Sequence, residues 1–445
     1  MIPKSCRKRR IHDAVILSMK VFHMSKMSYW PLEIGTISKT LWDIIPIREK
    51  LGGNWKDWKI REVGDGNLNL VFIVEGPETG LVVKQALPYV RLVGESWPLP
   101  LERAYYEANA LRIQTQFAPG LTPKVFHTDK DMALIVMEYL NPHLVLRKGL
   151  IKGIRYQHAA KAISEFMALT LFHTSVLAST AAEHKARIAL FAPNTALCKI
   201  TEDLVFTDPY REAQLNQWTR PYLDSIKLQF ENDVPLKLAV QRKKWQFMTE
   251  AQGLIHGDLH SGSIMVTDTD TRMIDPEFAF VGPMGFDVGA VIANLLLAFF
   301  AYAGRKSTIS EGDYASWLLQ QVDKIWTIFE QRFLALWSNH ATGDAFANGL
   351  FETEPAEQQL HKQQSAFMKN LFHETLEFAG CKMIRRILGL AHVEDLESIA
   401  DLETRARCET YALHFARELV MHGQGFLNIE DVTVAASAML KGKRL

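Results

Sequence analysis

The sequence predicts an α+β chain of two lobes, a small antiparallel sheet followed by a larger, mainly helical body. Three observations predict it. Alternating, turn-punctuated runs cluster between Trp58 and Met137, in the first third of the chain. Apolar residues at three- and four-residue spacing fill most of the chain after His143. The composition, with 48% hydrophobic residues, ten tryptophans and 24 phenylalanines in 445 residues, is enough for a substantial core. The sheet lobe is expected over 28–137, a hinge over 138–142 and the helical lobe over 143–445.

Bulk charge narrows the partners. Lysine plus arginine and aspartate plus glutamate balance at 50 each, so no net field favours nucleic acid or an acidic membrane surface. Four scattered cysteines, Cys6, Cys198, Cys381 and Cys408, form no zinc or disulfide pattern; a reducing, cytoplasmic setting is expected. Residues 1–27 read as an N-terminal extension. Its basic run, Lys4 to Arg10, and apolar run, Ala14 to Met24, lack a small-residue cleavage site, and Met24 and Met27 are alternative starts. The most apolar run, Val288 to Gly304, is short for a membrane span and contains Asn294, so it is expected as a buried helix with no membrane partner.

Taken in order, Trp58 to Val83 reads as a hairpin or three short strands, with turns at Gly64-Asp65-Gly66-Asn67 and Gly76-Pro77-Glu78-Thr79-Gly80. The first glycine turn can fold over phosphates with its backbone N–H groups exposed, although alone it is an ordinary hairpin turn. Lys84 closes the apolar run Leu81-Val82-Val83, an odd place for an ammonium unless an anion meets it. The Pro-rich connection from Gln85 to Pro100 is too irregular for a helix. Leu101 to Phe117 has helical spacing and carries Glu102 and Glu107, either of which can pair with Lys84. Strands are expected next at Lys124–His127 and Ala133–Met137, ending in a strand-to-loop step at Glu138, Tyr139 and Leu140. Helices are expected at Tyr156–His173, at Trp218–Met248 broken at Pro235, and at Ser310–Leu336, Ala366–Leu390 and Ile399–Met421.

The chemistry concentrates in Leu254–Gly289. Asp258 lies in His256-Gly257-Asp258, and seventeen residues on come Asp275 and Glu277 around Pro276. Between them, Ile264–Val266 and Met273–Ile274 read as two short strands that bring the acids to one edge. Phosphoryl transfer to a hydroxyl needs a group to accept or orient the hydroxyl proton and oxygen ligands for the phosphate-bound cation. Asp258 suits the first task, and Asp275 with Glu277 suits the second, with Mg²⁺ and ATP implied. Each motif alone is a common turn. In this order, downstream of a glycine turn and a strand lysine, they predict a protein-kinase-like fold and a small-molecule phosphotransferase. His256 is expected to pack beneath the loop, and Asp287 to cap the apolar helix or hold the loop backbone. Ser263 stands where protein kinases place a metal-holding asparagine, and a hydroxyl is a weaker ligand. No Ala-Pro-Glu segment is found beyond it, which argues against a protein substrate.

The runs GDGNLNLVF, KQALPYVRLVGESWP, HGDLHSGSI and IDPEFAFVGPMGFDVG resemble the 5-methylthioribose kinase family, within the choline kinase and aminoglycoside phosphotransferase-like group. The resemblance covers about 28–425, and Ser263 belongs to that family's own pattern. It implies ATP-dependent phosphorylation of the 1-hydroxyl of 5-methylthioribose in methionine salvage, by a homodimer. It implies Asn67 and Lys84 on the ATP phosphates, Glu138 to Leu140 at the adenine, Asp258 at the sugar, and Asp275 with Glu277 on Mg²⁺. It also places the family's paired arginines on Arg385 and Arg386, which by their own setting on an apolar helix would read as surface charges. The connection containing Trp97 resembles a family loop over the site that excludes water. A kinase of the same fold acting on an aminoglycoside, choline or homoserine is the alternative, and a non-catalytic nucleotide-binding protein is a third reading.

Overall fold

The computed structural model describes residues 29–64, 68–91, 94–305, 313–347 and 349–442. The expectations for residues 1–27, for Asp65 to Asn67 in the first turn and for the start of the helix at Ser310 lie outside the described residues. Two-lobed architecture follows from where the apolar faces are. A five-stranded antiparallel sheet runs in the spatial order Lys59–Glu62, Asn69–Glu75, Gly80–Ala86, Leu134–Glu138, Val125–Asp129. Alternation sends Phe72, Val74, Leu81, Val83, Leu134 and Val136 to one face. There they meet Ile37, Leu41, Ile47 and Leu51 from two short helices, Ile34–Trp42 and Ile45–Leu51. The other face, with Ala86, Ile135 and Met137, packs on Ala104, Ala108 and Leu111 of the Arg103–Phe117 helix.

The structure corrects the reading of Lys84. It does not end its strand; Gln85 and Ala86 continue the ladder against Leu134 and Asn69. The strand can run on because the buried Gln85 side chain is fully engaged: its amide donates to the carbonyls of Trp30 and Met132 and its oxygen accepts from Leu32 N–H. The connection after it is not wholly irregular either, since Tyr89–Val90 and Gly94–Pro98 pair as a small hairpin.

The helical body is built around Gly285–Tyr302, every residue of which is buried. That burial answers the question of the apolar run: this helix is the core of the lobe. It is enclosed by Asp313–His340, Glu354–Leu388 and Leu402–His422, and Asp313–His340 also packs on Ala159–His173. The break near Pro235 is real and has a cause. The Asp224–Asn232 and Val234–Thr249 helices meet at Asp233, whose carboxylate accepts from Leu236 N–H at 2.9 Å, with Pro235 in the first turn. Several elements differ from expectation; the helix expected from Trp218 begins at Asp224. The helix expected from Ala366 begins at Glu354, since its first turns are polar and carry no apolar period. A last helix, Ile429–Leu440, starts after an Asn428 cap that accepts from Asp431 N–H.

Close approach, more than side-chain volume, sets the crossing of the two central helices. A Cβ at Gly289 would lie 2.6 Å from the Thr375 carbonyl oxygen and 3.0 Å from the Ala379 nitrogen. Gly289→Ala therefore has to push the helices apart. It is expected to lower stability by about 1–3 kcal/mol, read as a lower urea midpoint with unchanged slope.

Candidate active site

The loop bearing Asp258 is held at both ends by short strands. Gly253–Ile255 pairs with Phe280–Gly282, and Ile264–Val266 pairs with Thr271–Met273. Between them the chain turns at Gly257, at φ +83°, where a Cβ would lie 2.2 Å from the Phe278 carbonyl oxygen; only glycine fits. Asp287 reaches back from the apolar helix, its carboxylate accepting from the N–H groups of His256 and Gly257 at 2.6 and 3.0 Å. Of its two expected roles, the structure therefore has the loop-holding one. Burial raises the Asp287 carboxyl, and those donors with the nearby Lys382 offset part of the rise. His256 is buried with Nε2 against the Ile274 carbonyl at 2.9 Å, joining the loop to the strand before Asp275. Ser263 donates its hydroxyl to the Asp258 carbonyl at 3.0 Å, so its oxygen braces the loop.

At one end of the site lies an acidic cluster. Lys84 Nζ is 2.7 Å from Glu107 and also contacts the Asp275 carboxylate. Glu107, not the exposed Glu102, is the helix partner of the lysine. Glu277 is buried and its Oε2 accepts from Asn69 Nδ2 at 2.9 Å, with Arg103 Nε at 3.7 Å. Arg103 is itself buried, and donates to the carbonyls of Leu68, Leu87 and Pro100 and to Asn69. Neither Asn69 nor Arg103 was read from the sequence; an arginine at the start of a buried helix was the available signal.

Burial alone would lower the Lys84 ammonium, but Asp275, Glu107 and Glu277 reverse this and raise it. Burial and the neighbouring carboxylates push Glu107 and Glu277 up, with Lys84 pulling the other way. Oxygens of Glu107, Asp275 and Glu277 lie within 4.8 Å of one another, and Glu107 Oε1 is buried without a hydrogen-bond partner among the described residues. Three carboxylates face the two cations Lys84 and Arg103. That surplus of hard oxygen ligands fits a divalent cation such as Mg²⁺. Asp275 sits at φ +68° just before Pro276, a turn that sends its carboxylate to Lys84 while Glu277 goes to Asn69.

The opposite end is cationic. Asp258 is half-buried; its Oδ1 lies 3.3 Å from Lys382 Nζ and its Oδ2 3.3 Å from His260 Nε2. Lys382, Arg385 and Arg386 come one turn apart on the Glu354–Leu388 helix, and Arg385 Nε and Nη1 are buried without hydrogen-bond partners among the described residues. Arg386 Nη1 donates to the Ala391 carbonyl at 3.3 Å. Burial would raise the Asp258 carboxyl, but His260, Lys382 and Arg386 hold it well below its ordinary value. Burial takes His260 down to about 4 despite Asp258, leaving the imidazole neutral near pH 7. The expectation of solvated arginines from helix context alone is thus corrected: the pair points inward, near a carboxylate 127 and 128 positions away in sequence (385 − 258 and 386 − 258).

The strand-to-loop step joins the lobes. Glu138 Oε2 accepts from Lys124 N–H at 3.1 Å, Tyr139 OH accepts from Arg61 at 2.9 Å, and Leu140 is buried. Trp97, in the small hairpin, packs against Val90, Leu99 and Leu197. A separate surface cavity of about 440 Å³, lined by Lys243, Glu250, Glu374 and Glu377, holds none of these groups.

Comparison with known proteins agrees with this geometry. Residues 59–311 match the phosphotransferase enzyme family. A methylthioribose kinase of Escherichia coli O45:K1 (strain S88) is 46% identical over 410 residues, covering 92% of this chain and 97% of its own. Methylthioribose kinase 2 of Oryza sativa subsp. japonica is 44% identical over 389 residues, covering 86% and 90%. A methylthioribose kinase of Geobacillus sp. (strain WCH70) is 42% identical over 375 residues, covering 84% and 88%.

The choice of Glu107 over Glu102 is directly testable. A charge-assisted hydrogen bond contributes about 1.5–3 kcal/mol, so Glu107→Gln is expected to lower kcat/KM for ATP roughly ten- to a hundredfold. Glu102→Gln is expected to leave it unchanged, with both read by ADP release.

Proposed function

The chain belongs to the methylthioribose kinase family, and from that premise we propose that it transfers the γ-phosphoryl of ATP to the 1-hydroxyl of 5-methylthioribose. The products are S-methyl-5-thioribose 1-phosphate and ADP, a step of methionine salvage. One observation carries the reading of the site: the sheet lysine Lys84 meets Asp275 of the helical lobe, with Asp258 on the loop sutured to that same turn through His256 and Ile274. In this reading 28–137 is the nucleotide lobe, 138–142 the hinge and 143–445 the sugar lobe. The enzyme is a cytoplasmic homodimer.

The residues divide the work. Lys84, held by Glu107, takes the ATP phosphates, with Asn67 in the glycine turn, and the 138–140 segment takes the adenine. Asp275 and Glu277 hold Mg²⁺, which supplies positive charge to the phosphate oxygens when bound. Asp258 orients the 1-hydroxyl toward the γ-phosphorus. The sugar oxygen forms the new bond to phosphorus, the bond to the bridging oxygen breaks, and ADP leaves with that electron pair. Asp258 takes the hydroxyl proton. Because its carboxyl is held far below the ordinary range, it binds that proton weakly, so the proton moves late and orientation is its larger contribution. Arg385 and Arg386 bind the sugar side, Arg385 having guanidinium nitrogens to give.

The same charges speak against the alternative substrates. Choline and aminoglycosides are cations and need acidic or aromatic surroundings. Lys382, Arg385 and Arg386 are the cations that act on Asp258, outnumbering Asp287 and Asp395, the acids that face Lys382 and Arg386. A neutral sugar that becomes a phosphate ester suits that setting; a polyamine does not.

With ATP·Mg²⁺ and a panel of 5-methylthioribose, ribose, choline, homoserine and kanamycin, ADP release is expected with methylthioribose. Turnover confined to any other member of the panel would sink the substrate assignment. Asp258→Asn is expected to reduce kcat by about a hundredfold or more while ATP affinity stays near wild type.

A further inference from the structure

We propose that Lys382 is a positioning residue for the transfer: its ammonium and the neutral ring of His260 grip the two oxygens of Asp258 and aim that carboxylate at the sugar hydroxyl. The inference rests on the kinase reading above and adds two groups to it.

The grip is two-sided. His260 Nδ1 accepts from Gly262 N–H at 2.8 Å and lies 3.3 Å from Arg147 Nη2, so the proton of the ring belongs on Nε2. Nε2–H then faces Asp258 Oδ2, while Lys382 Nζ faces Oδ1. The ring is in turn fixed from behind. Arg147 reaches Ser261 Oγ, Asn294 Oδ1 and the buried Asp395, so it cannot follow the imidazole away.

Lys382 is equally constrained. It is buried in the interior of its helix, and its ammonium lies 4.2 Å from the centroid of the Phe286 ring, the residue beside Asp287. Among the described residues, this ammonium has no ion pair other than that with Asp258. A lysine whose only task was packing would cost burial of a charge without return, and a methionine would fill the space better. The groups facing it are Asp258 and His260 from the loop, Asp287 from the apolar helix, and Arg385 and Arg386 from its own helix. With His260 neutral, Lys382 is the cation in direct contact with Asp258. Burial, with the two arginines, brings it down to about 8 against the pull of Asp258. It is therefore charged at neutral pH and loses that charge as pH rises through about 8.

The test compares Lys382→Met and Lys382→Arg with wild type by ADP release across pH. Lys382→Met is expected to lose about a hundredfold in kcat with KM for ATP little changed. An opposite charge within contact range holds an aspartate down by about one to three pH units, so the acid limb of kcat/KM should move up by about one unit or more. Lys382→Arg, which keeps a cation, should restore at least about tenfold of that loss and keep the acid limb low. It should also abolish the fall in rate expected of wild type above about pH 8, since arginine does not titrate there. A Met variant within about twofold of wild type, or a kcat loss with unmoved pH limbs and no recovery in the Arg variant, overturns the proposal. If Lys382→Met fails to fold, shown by loss of ATP binding, the Arg variant decides: an alkaline limb identical to wild type overturns the proposal. Wild-type turnover of methylthioribose is the control for the underlying reading. Its absence would remove that substrate, and the Lys382 comparison would then be read on whichever panel substrate is phosphorylated.

Discussion

An ammonium buried in a β-sheet is the constraint on which the rest of this structure depends. Lys84 is out of water on the third strand, and a charge so placed is costly unless oxygen ligands surround it. They arrive from two directions: Glu107 from the helix that packs on the sheet, and Asp275 and Glu277 from a turn of the other lobe. The lysine therefore does more than await a phosphate. It ties the sheet to its helix and the small lobe to the large one, and it keeps three carboxylates close enough to hold a metal. Three carboxylates against two cations leave the cluster short of positive charge, which fits a divalent cation.

The site is thus polarised along its length. Acids gather where a metal and the phosphates are expected, and cations gather around Asp258, where the phosphate ester would form. A carboxylate among Lys382, Arg385 and Arg386 is a weak base but a well-oriented one. Such an arrangement suits a reaction whose catalysis is mainly positioning and charge stabilisation.

Much of this was legible along the chain, and the boundary of legibility has a physical cause. Asp258, Asp275, Glu277 and Lys84 stand out because local geometry gives them away: a glycine turn, a short hairpin, a lysine in an apolar strand. Helical phase held information that spacing alone did not use. Glu107 shares the face of Ala104, Ala108 and Leu111 that packs on the sheet, whereas Glu102 lies before the helix begins. Lys382, Arg385 and Arg386 likewise share a face at i, i+3 and i+4, but nothing local says that the face meets a loop more than a hundred residues earlier in the chain. The short helices Ile34–Trp42 and Ile45–Leu51 went unread for a related reason. Segments of that length are marginal alone and form because the sheet face buries Ile37, Leu41, Ile47 and Leu51.

The stretch from Phe278 to Gly289 works mainly through packing and backbone contacts. The Phe278 carbonyl sits where a Cβ on Gly257 would be, and Met284 N–H is accepted by Gln252. Gly285 N–H is accepted by Glu374 on the helix that bears Lys382 and the arginines. Asp287 holds the backbone of the catalytic loop, Phe286 lies under the Lys382 ammonium, and Gly289 lets the two helices touch backbone to backbone. Together these contacts bear on one distance, that between Asp258 and the cations that face it.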